Sequence, residues 1–193
     1  MSAEPKHFPP LRWIINQPYL LLSLTSLFWA GNIVLARFVA GHVPPLTLSC
    51  VRWIGAFILL WPFAKEHLRR DWRTLRAHLP LMLLLSASGS MMLVPFAWWE
   101  MLSGFGPKVD LLTAATLAYV VIFPSTLAYL CFNRGIMLIG PNRAAPFLHL
   151  VPVFGSVMAI VLLGEQPKLF HVIGYALVLA GVVIASRQGS ARG

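Results

Sequence analysis

The sequence is poor in charge and has very little cysteine. Only 11% of the 193 residues are charged, whereas a typical soluble domain carries about a quarter. The two cysteines, Cys50 and Cys131, both lie within apolar runs, which argues against a disulfide framework and favours buried thiols. There is no CxxC, no HxxxH and no paired His–Cys cluster, so the sequence predicts no metal site.

Signatures of enzymatic and ATP-driven chemistry are also missing. The sequence offers no Ser/His/Asp set, no pair of acids at membrane depth and no GxxxxGK[ST] phosphate loop. We therefore expect no enzyme, no ATP-driven pump in this chain alone and no cofactor.

Long apolar runs dominate what is present. Hydrophobic residues make up 58% of the chain, and its mean hydropathy is +0.75. Between Ala144 and Ser186, two runs, each about long enough to cross a bilayer, are separated only by the polar segment Gly164-Glu165-Gln166-Pro167. Such a pair indicates a transmembrane hairpin.

The same reasoning gives an all-α integral membrane protein with six predicted transmembrane helices. Strands fit poorly, because the runs are continuously apolar rather than alternating. The predicted spans are Tyr19–Val39, Leu46–Ala64, Leu79–Met101, Leu111–Asn133, Ala144–Leu163 and Phe170–Ser186.

The net charge of +9 predicts topology rather than nucleic-acid binding, because the basic residues lie between the apolar runs. With the N-terminus inside, eleven of them fall on the inner side and three on the outer side, with Arg52 inside a span. The inner residues are Lys6, Arg12, Lys65, Arg69, Arg70, Arg73, Arg76, Arg134, Arg143, Arg187 and Arg192, and the outer ones are Arg37, Lys108 and Lys168. This predicts cytoplasmic tails at 1–18 and 187–193 in a multi-pass protein. A bacterial inner membrane is expected because eukaryotic targeting signals are absent from the sequence. The basic stretch at 65–78 is interpreted as a topology anchor, with anionic-lipid contact as an alternative.

Several short phrases stand out towards the two ends of the chain. At the C-terminal end these are Pro152-Val153-Phe154, Leu162-Leu163-Gly164-Glu165, Ile173-Gly174 and Gly181-Val182, and near the N-terminus Phe28-Trp29-Ala30-Gly31-Asn32 and Val51-Arg52-Trp53. Together they resemble the EamA module of the drug/metabolite transporter superfamily, and the two N-terminal phrases are similar to its first and second helices. The resemblance implies an inverted-repeat helix bundle that moves small solutes across the lipid bilayer.

The chain departs from the family pattern in length. Family members usually carry ten helices in two inverted halves, and this sequence has room for six. We interpret residues 19–89 as the start of a first repeat and 90–186 as the later part of a second, with a junction near 86–92. A partial bundle would lack half of the interface at which such transporters bind substrate. The sequence therefore predicts either a homodimer or a non-transporting, regulatory remnant.

The leading function is a secondary transporter, expected to be an exporter, for small metabolites or drug-like solutes. Trp29 and Asn32 are three residues apart and share one helix face, which suits either a cavity wall or a bundle contact. Of Tyr119 and Tyr129 in the fourth span, at most one is expected to face a cavity, and Tyr129 is the candidate.

Two ionisable residues inside predicted spans are further candidates for substrate binding. Arg52 is costly to insert, and we expect an ion pair with Glu100, contact with substrate, or snorkelling, in that order. His149 lies between Pro146 and Pro152. It could carry a proton, but a hydrogen bond to a backbone carbonyl freed by a proline is the favoured interpretation.

The remaining candidates are structural. Pro124 is expected to kink the fourth span, and Glu165 to orient the outer hairpin. Gly155 with Ala159, and Gly181 with Ala185, form small-xxx-small pairs that permit close helix approach, within the chain or at a dimer seam. Pro152 and Gly174 belong to the family-like phrases.

Overall fold

The structure is a computed structural model and describes residues 13–104, 106, 108–166 and 169–188, apart from the side chains of 66–67, 74, 169–171 and 185–188. The described residues form helices and connecting turns, without strands. The helices are α1 Pro18–Phe38, α2 Pro45–Arg70, α3 Trp72–Leu102, α4 Leu111–Ile122, α5 Ala128–Ile139, α6 Pro141–Ala144, α7 Leu150–Leu163 and α8 Leu169–Gln188. The all-α membrane class is confirmed.

Two prolines, an aspartate and a glycine set several of the helix boundaries. Pro18 and Pro45 stand first in α1 and α2, where proline's missing N–H costs nothing. Asp110 caps α4, because its carboxylate accepts a hydrogen bond from Thr113 N at 2.8 Å. Gly164 ends α7 in the left-handed region, at φ 71°, a conformation that glycine adopts without a Cβ penalty.

Five helical stretches among the described residues are long and apolar enough to cross a membrane: Pro18–Phe38, Pro45–Lys65, Leu75–Leu102, Leu111–Ile139 and Pro141–Leu163. The sixth predicted span corresponds to α8, which has 20 residues with a described apolar part at Val172–Ile184.

The end of the second helix and the start of the third extend beyond the predicted spans, because a helix can continue past the apolar stretch that crosses a membrane. α2 continues to Arg70 and α3 begins at Trp72, so both helices include charged residues that hydropathy assigns to a loop. The predicted junction near 86–92 lies inside one uninterrupted helix, α3.

The fourth and fifth spans are each composite. A π-helical turn at Phe123–Leu127 joins α4 to α5, and a 3₁₀ segment at Ala145–His149 joins α6 to α7. The turn contains Pro124, so the irregularity expected there takes the form of a π turn. π turns within helices often mark functional sites.

The chain divides into two compact units. Unit 1 comprises Met1–Phe38 with Leu127–Gly193, and unit 2 comprises Val39–Thr126. In unit 1, α1 packs against α5 and α7 around Leu22, Ala144, Phe147 and Leu150. In unit 2, α2 packs against α3 and α4. Gly55 allows α2 and α4 to approach closely, since a Cβ there would lie 2.5 Å from Val121 Cγ2.

Candidate functional site

Two buried hydroxyls fix the position of α1 within unit 1. Thr25 Oγ1 lies 2.9 Å from the carbonyl oxygen of Leu21 and 3.2 Å from that of Ala128. Ser26 Oγ lies 2.6 Å from the carbonyl oxygen of Phe147, in the 3₁₀ segment. Hydroxyls in a bilayer are costly unless hydrogen-bonded, so these contacts set the rotation of α1 and the face from which Trp29 projects.

Trp29 lies at the centre of an aromatic cluster formed with Tyr129 and Phe132 of α5. Its ring centroid is 5.5 Å from that of Tyr129, in an edge-to-face arrangement with an interplanar angle of 68°. Phe132 is also 5.5 Å away, tilted by 54°. Both spacings fall in the favourable range for aromatic pairs. The structure thus brings together two residues that the sequence singled out separately, Trp29 and Tyr129.

Asn32 follows Trp29 by three residues, on the same side of α1. The residue is half-buried, and no hydrogen bond joins its side chain to another described residue. Amides at membrane depth normally find a partner. Asn32 therefore leaves hydrogen-bonding capacity in unit 1 on the helix face that carries Trp29.

His149 contributes to a groove in unit 1, between the 3₁₀ segment and α8. The groove has a volume of about 400 Å³ and is lined by Asn142, Ala145, Pro146, His149, Val178, Gly181 and Val182. His149 is exposed and makes no hydrogen bond to a described residue. The hydrogen bond to a freed backbone carbonyl that the sequence favoured is therefore not among the contacts of the described residues.

The expected ion pair between Arg52 and Glu100 is also absent from the described side chains. Glu100 instead caps α2: Oε2 accepts from Thr47 N at 2.8 Å and Thr47 Oγ1 at 2.9 Å, and Oε1 from Leu46 N at 3.4 Å. Free N–H groups and the positive end of the helix dipole attract a carboxylate, so the helix end takes the place of the guanidinium. The Arg52 guanidinium lies 5.1 Å from the Trp53 ring centroid, and its Nε makes no hydrogen bond within the described residues.

Unit 2 also contains a pair that the sequence reasoning missed. His42 Nε2 lies 2.7 Å from Asp110 Oδ2, beside a pocket of about 460 Å³ lined partly by Trp99, Glu100 and Lys108. The Thr113 N–H, with a smaller contribution from His42, holds the pKa of Asp110 below its usual value. The position of Asp110 at a helix start could have been predicted from the sequence, since an aspartate directly before an apolar run is typical of a helix start.

Three predicted structural residues have local roles that the structure shows. Pro124 is buried in the π turn, where Thr126 Oγ1 donates to the Val121 carbonyl at 2.8 Å. The carbonyl of Pro152 accepts from Ser156 Oγ at 2.6 Å. Glu165 pairs with Arg37 at 2.9 Å, and both side chains are exposed, so the hairpin turn is tied to the end of α1.

The predicted small-residue positions differ in how closely another helix approaches them. A Cβ on Gly155 would lie 4.0 Å from that of Ala30, so Gly155 lies at the α1–α7 contact. No described atom comes within 4 Å of a Cβ built on Gly174 or Gly181, so neither makes a close helix contact within the described chain. No group of three or more His, Cys, Asp or Glu side chains converges as a metal site among the described residues.

Comparison with known proteins places this helical bundle in a family. The model of the EamA-like transporter family matches residues 76–187, which is more than half of the chain. The chain belongs to the EamA-like transporter family. It is a multi-pass membrane protein.

Individual relatives agree with this family. An uncharacterized transporter of Archaeoglobus fulgidus is 31% identical over 127 residues, covering 65% of this chain and 41% of the relative. The uncharacterized transporter YyaM of Bacillus subtilis is 40% identical over 70 residues, covering 36% and 23%. A probable terminal-alkyne amino-acid exporter of Streptantibioticus cattleyicolor is 30% identical over 101 residues, covering 52% and 33%. No solved structure matches this EamA chain, which spans less than half the length of each of these relatives.

Proposed function

We propose that this EamA-family chain is a secondary transporter that exports small metabolites or drug-like solutes by alternating access. The observation that carries the proposal is the aromatic cluster of Trp29, Tyr129 and Phe132 in a membrane-spanning unit, with the amide of Asn32 on the same face of α1. Flat apolar faces with one polar group suit the recognition of amphipathic solutes. The family membership supports transport as the activity.

Two further side chains are proposed to contact solute. Arg52 carries a positive charge, and its Nε has no hydrogen-bond partner among the described residues; it suits an anionic group such as a carboxylate. His149, exposed in its groove, suits a hydrogen-bonding group. Each belongs to its own unit, and each is a separate position to test.

Two copies of the chain are proposed to form the complete pathway. Among the described side chains of α3, Ala97 is the one that is buried, and the alignment covers only 41% of the Archaeoglobus relative. An inverted-repeat transporter binds its substrate where two halves meet. A second copy would supply the missing half, in an inner membrane with both termini cytoplasmic.

Export can be tested in a bacterial host that produces the full chain. L-propargylglycine is a suitable first probe, because one relative is named as a probable exporter of terminal-alkyne amino acids. The amount retained in preloaded cells is measured over time. We expect faster loss with the chain than without it, and Trp29→Ala to abolish at least most of the gain.

The matched control is Trp98→Ala. Trp98 is 66% exposed on α3, so its removal deletes an indole without touching the aromatic cluster. Tyr129→Phe keeps the ring and should retain efflux. Equal loss in the Trp29 and Trp98 variants, at equal membrane levels of protein, would contradict the assignment of the aromatic cluster.

A second candidate is a non-transporting, regulatory remnant of an EamA transporter. The partial coverage of the relatives favours it. It predicts a chain that reaches the membrane and folds, yet moves no solute as a monomer or as a crosslinked dimer. Flux separates it from the leading proposal.

A further inference from the structure

Five exposed cations lie where α2 ends and α3 begins, in unit 2. They are Lys65, Arg69, Arg70, Arg73 and Arg76, and together they are called the basic turn. Asp71, between the two helices, is exposed as well. No ion pair joins the basic turn to an acid whose side chain the structure describes, since the described pairs are Arg37–Glu165 and His42–Asp110.

The basic turn spans the boundary between the apolar core and the head-group layer, with Lys65 at the end of one apolar stretch and Arg76 just inside the other. The apolar stretch of α2 ends at Lys65 and that of α3 starts at Leu75. At 1.5 Å per helical residue, Arg69 projects about 6 Å beyond the end of its span and Arg73 about 3 Å beyond its own. The polar layer on each side of a bilayer core is about 5–7 Å thick, which matches these distances.

Stabilisation of the helices does not account for all of these charges. Arg69 and Arg70 suit the negative end of the α2 dipole, but Arg73 lies in the first turn of α3, where the dipole disfavours a cation. That turn holds no acidic residue, and Asp71 makes no side-chain capping bond. An anion from outside the chain would compensate this charge.

Aromatic residues flank the same level. Trp61, on α2, and Trp72, at the start of α3, are each 50% exposed. Tryptophan is enriched where the acyl chains meet the head groups. Trp61 lies inside the end of its apolar stretch and Trp72 lies outside the start of the next one, so the two indoles bracket the level of the guanidinium groups. A phospholipid can meet such an arrangement with its glycerol region and its phosphate.

We propose that the basic turn binds the head group of an anionic phospholipid, such as phosphatidylglycerol. Guanidinium groups form bidentate, charge-assisted bonds with phosphate, and the excess of positive charge selects against zwitterionic head groups. The apolar helices hold the site at the bilayer surface, so lipid rather than a soluble polyanion is the occupant. This proposal is independent of the proposed transport function.

The test uses the purified full chain in nanodiscs that contain phosphatidylglycerol and phosphatidylcholine in equal amounts. Lipids that remain bound after gentle release are counted by native mass spectrometry. We expect enrichment of phosphatidylglycerol over phosphatidylcholine. Replacing Arg73 and Arg76 by Gln should lower the apparent affinity about fivefold for each charge, from ~1 kcal/mol per basic residue near an anionic surface.

Asp71→Asn gives a matched change of opposite sign. Because Asp71 makes no side-chain capping bond, asparagine should leave the helix start intact while one negative charge leaves the basic turn, and enrichment should rise about fivefold. A charge-preserving variant with Lys at positions 73 and 76 should keep most of the enrichment. Equal binding of both lipids to the natural chain, or a fall in enrichment with Asp71→Asn, would overturn the proposal.

Discussion

Unit 1 and unit 2 use the same kind of helix in different ways. In unit 1, seven residues of α1 are buried, whereas in unit 2 Ala97 is the one buried residue among the described side chains of α3. The apolar content of the two helices is similar, so hydropathy does not explain the difference. What distinguishes α1 is its pair of hydroxyls, Thr25 and Ser26, which bond to carbonyl groups of other segments.

The comparison shows what holds a helix in place in a bilayer. Lipid is as apolar as leucine, so an apolar side chain gains little by leaving lipid for protein. Packing and hydrogen bonds decide instead. α1 has both, whereas α3 is tied to α2 by the polar contact of Glu100 at one end and leaves many large apolar side chains exposed. Such a surface suits lipid or a second copy.

The largest expected effect that would sharpen this contrast comes from Leu22→Ala. Leu22 is fully buried in the core of unit 1, and its deletion should leave a cavity. Because the transfer term is small in lipid, the loss should fall near the lower end of the range for such changes, about 2 kcal/mol. Unfolding in mixed micelles measures it. Leu84→Ala, on the 67% exposed side chain of α3, should change stability by less than about 0.5 kcal/mol, and equal losses would break the comparison.

Next in size is Ser26→Ala. The Ser26 hydroxyl lies 2.6 Å from the Phe147 carbonyl, and interhelical hydrogen bonds in membranes contribute roughly 0.6–2 kcal/mol. The same unfolding assay should show a loss in this range. Ser88→Ala is the control, because Ser88 Oγ donates only to Leu85 within α3, and its removal should be near neutral. A neutral Ser26 variant would mean that the hydroxyls do not fix α1.

The smallest effect is expected from Glu100→Gln, which tests whether polar ends hold unit 2. Removal of the negative charge from the start of α2 should cost about 0.3–1 kcal/mol. Faster amide exchange at Leu46 and Thr47 is the local readout. Glu165→Gln, in the exposed pair with Arg37, removes an equal charge and should leave exchange at those two amides unchanged. Unchanged exchange in Glu100→Gln would contradict the capping role.

Class and span positions could be predicted because apolar length is a one-dimensional property of the sequence. The π turn at Phe123–Leu127 could not, since Pro124 fits a kinked α-helix equally well. Arg52 and Glu100 show a second limit. Arg52 lies about two turns into α2 and Glu100 near the C-terminal end of α3. The N–H groups at the start of α2 compete for the carboxylate, and residue types alone do not reveal that competition.

The aromatic cluster could be predicted from the sequence only in part. Helix spacing alone selected Trp29 with Asn32, and Tyr129 was a separate candidate. The contact between Trp29 and Tyr129 depends on the packing of α1 against α5, where a Cβ on Gly135 would lie 2.7 Å from the Leu22 side chain. That close approach is a tertiary property and becomes visible only in the structure.

The most direct test of the central claim is solute flux through the purified chain in sealed proteoliposomes. Vesicles loaded with L-propargylglycine are followed for its release, with the natural chain and with the Trp29→Ala and Trp98→Ala variants. We expect release with the natural chain and Trp98→Ala, and release at the level of empty vesicles with Trp29→Ala. Release at the empty-vesicle level for all three chains, across a panel of amino acids and drug-like dyes and with crosslinked dimer present, would contradict transport and favour the remnant.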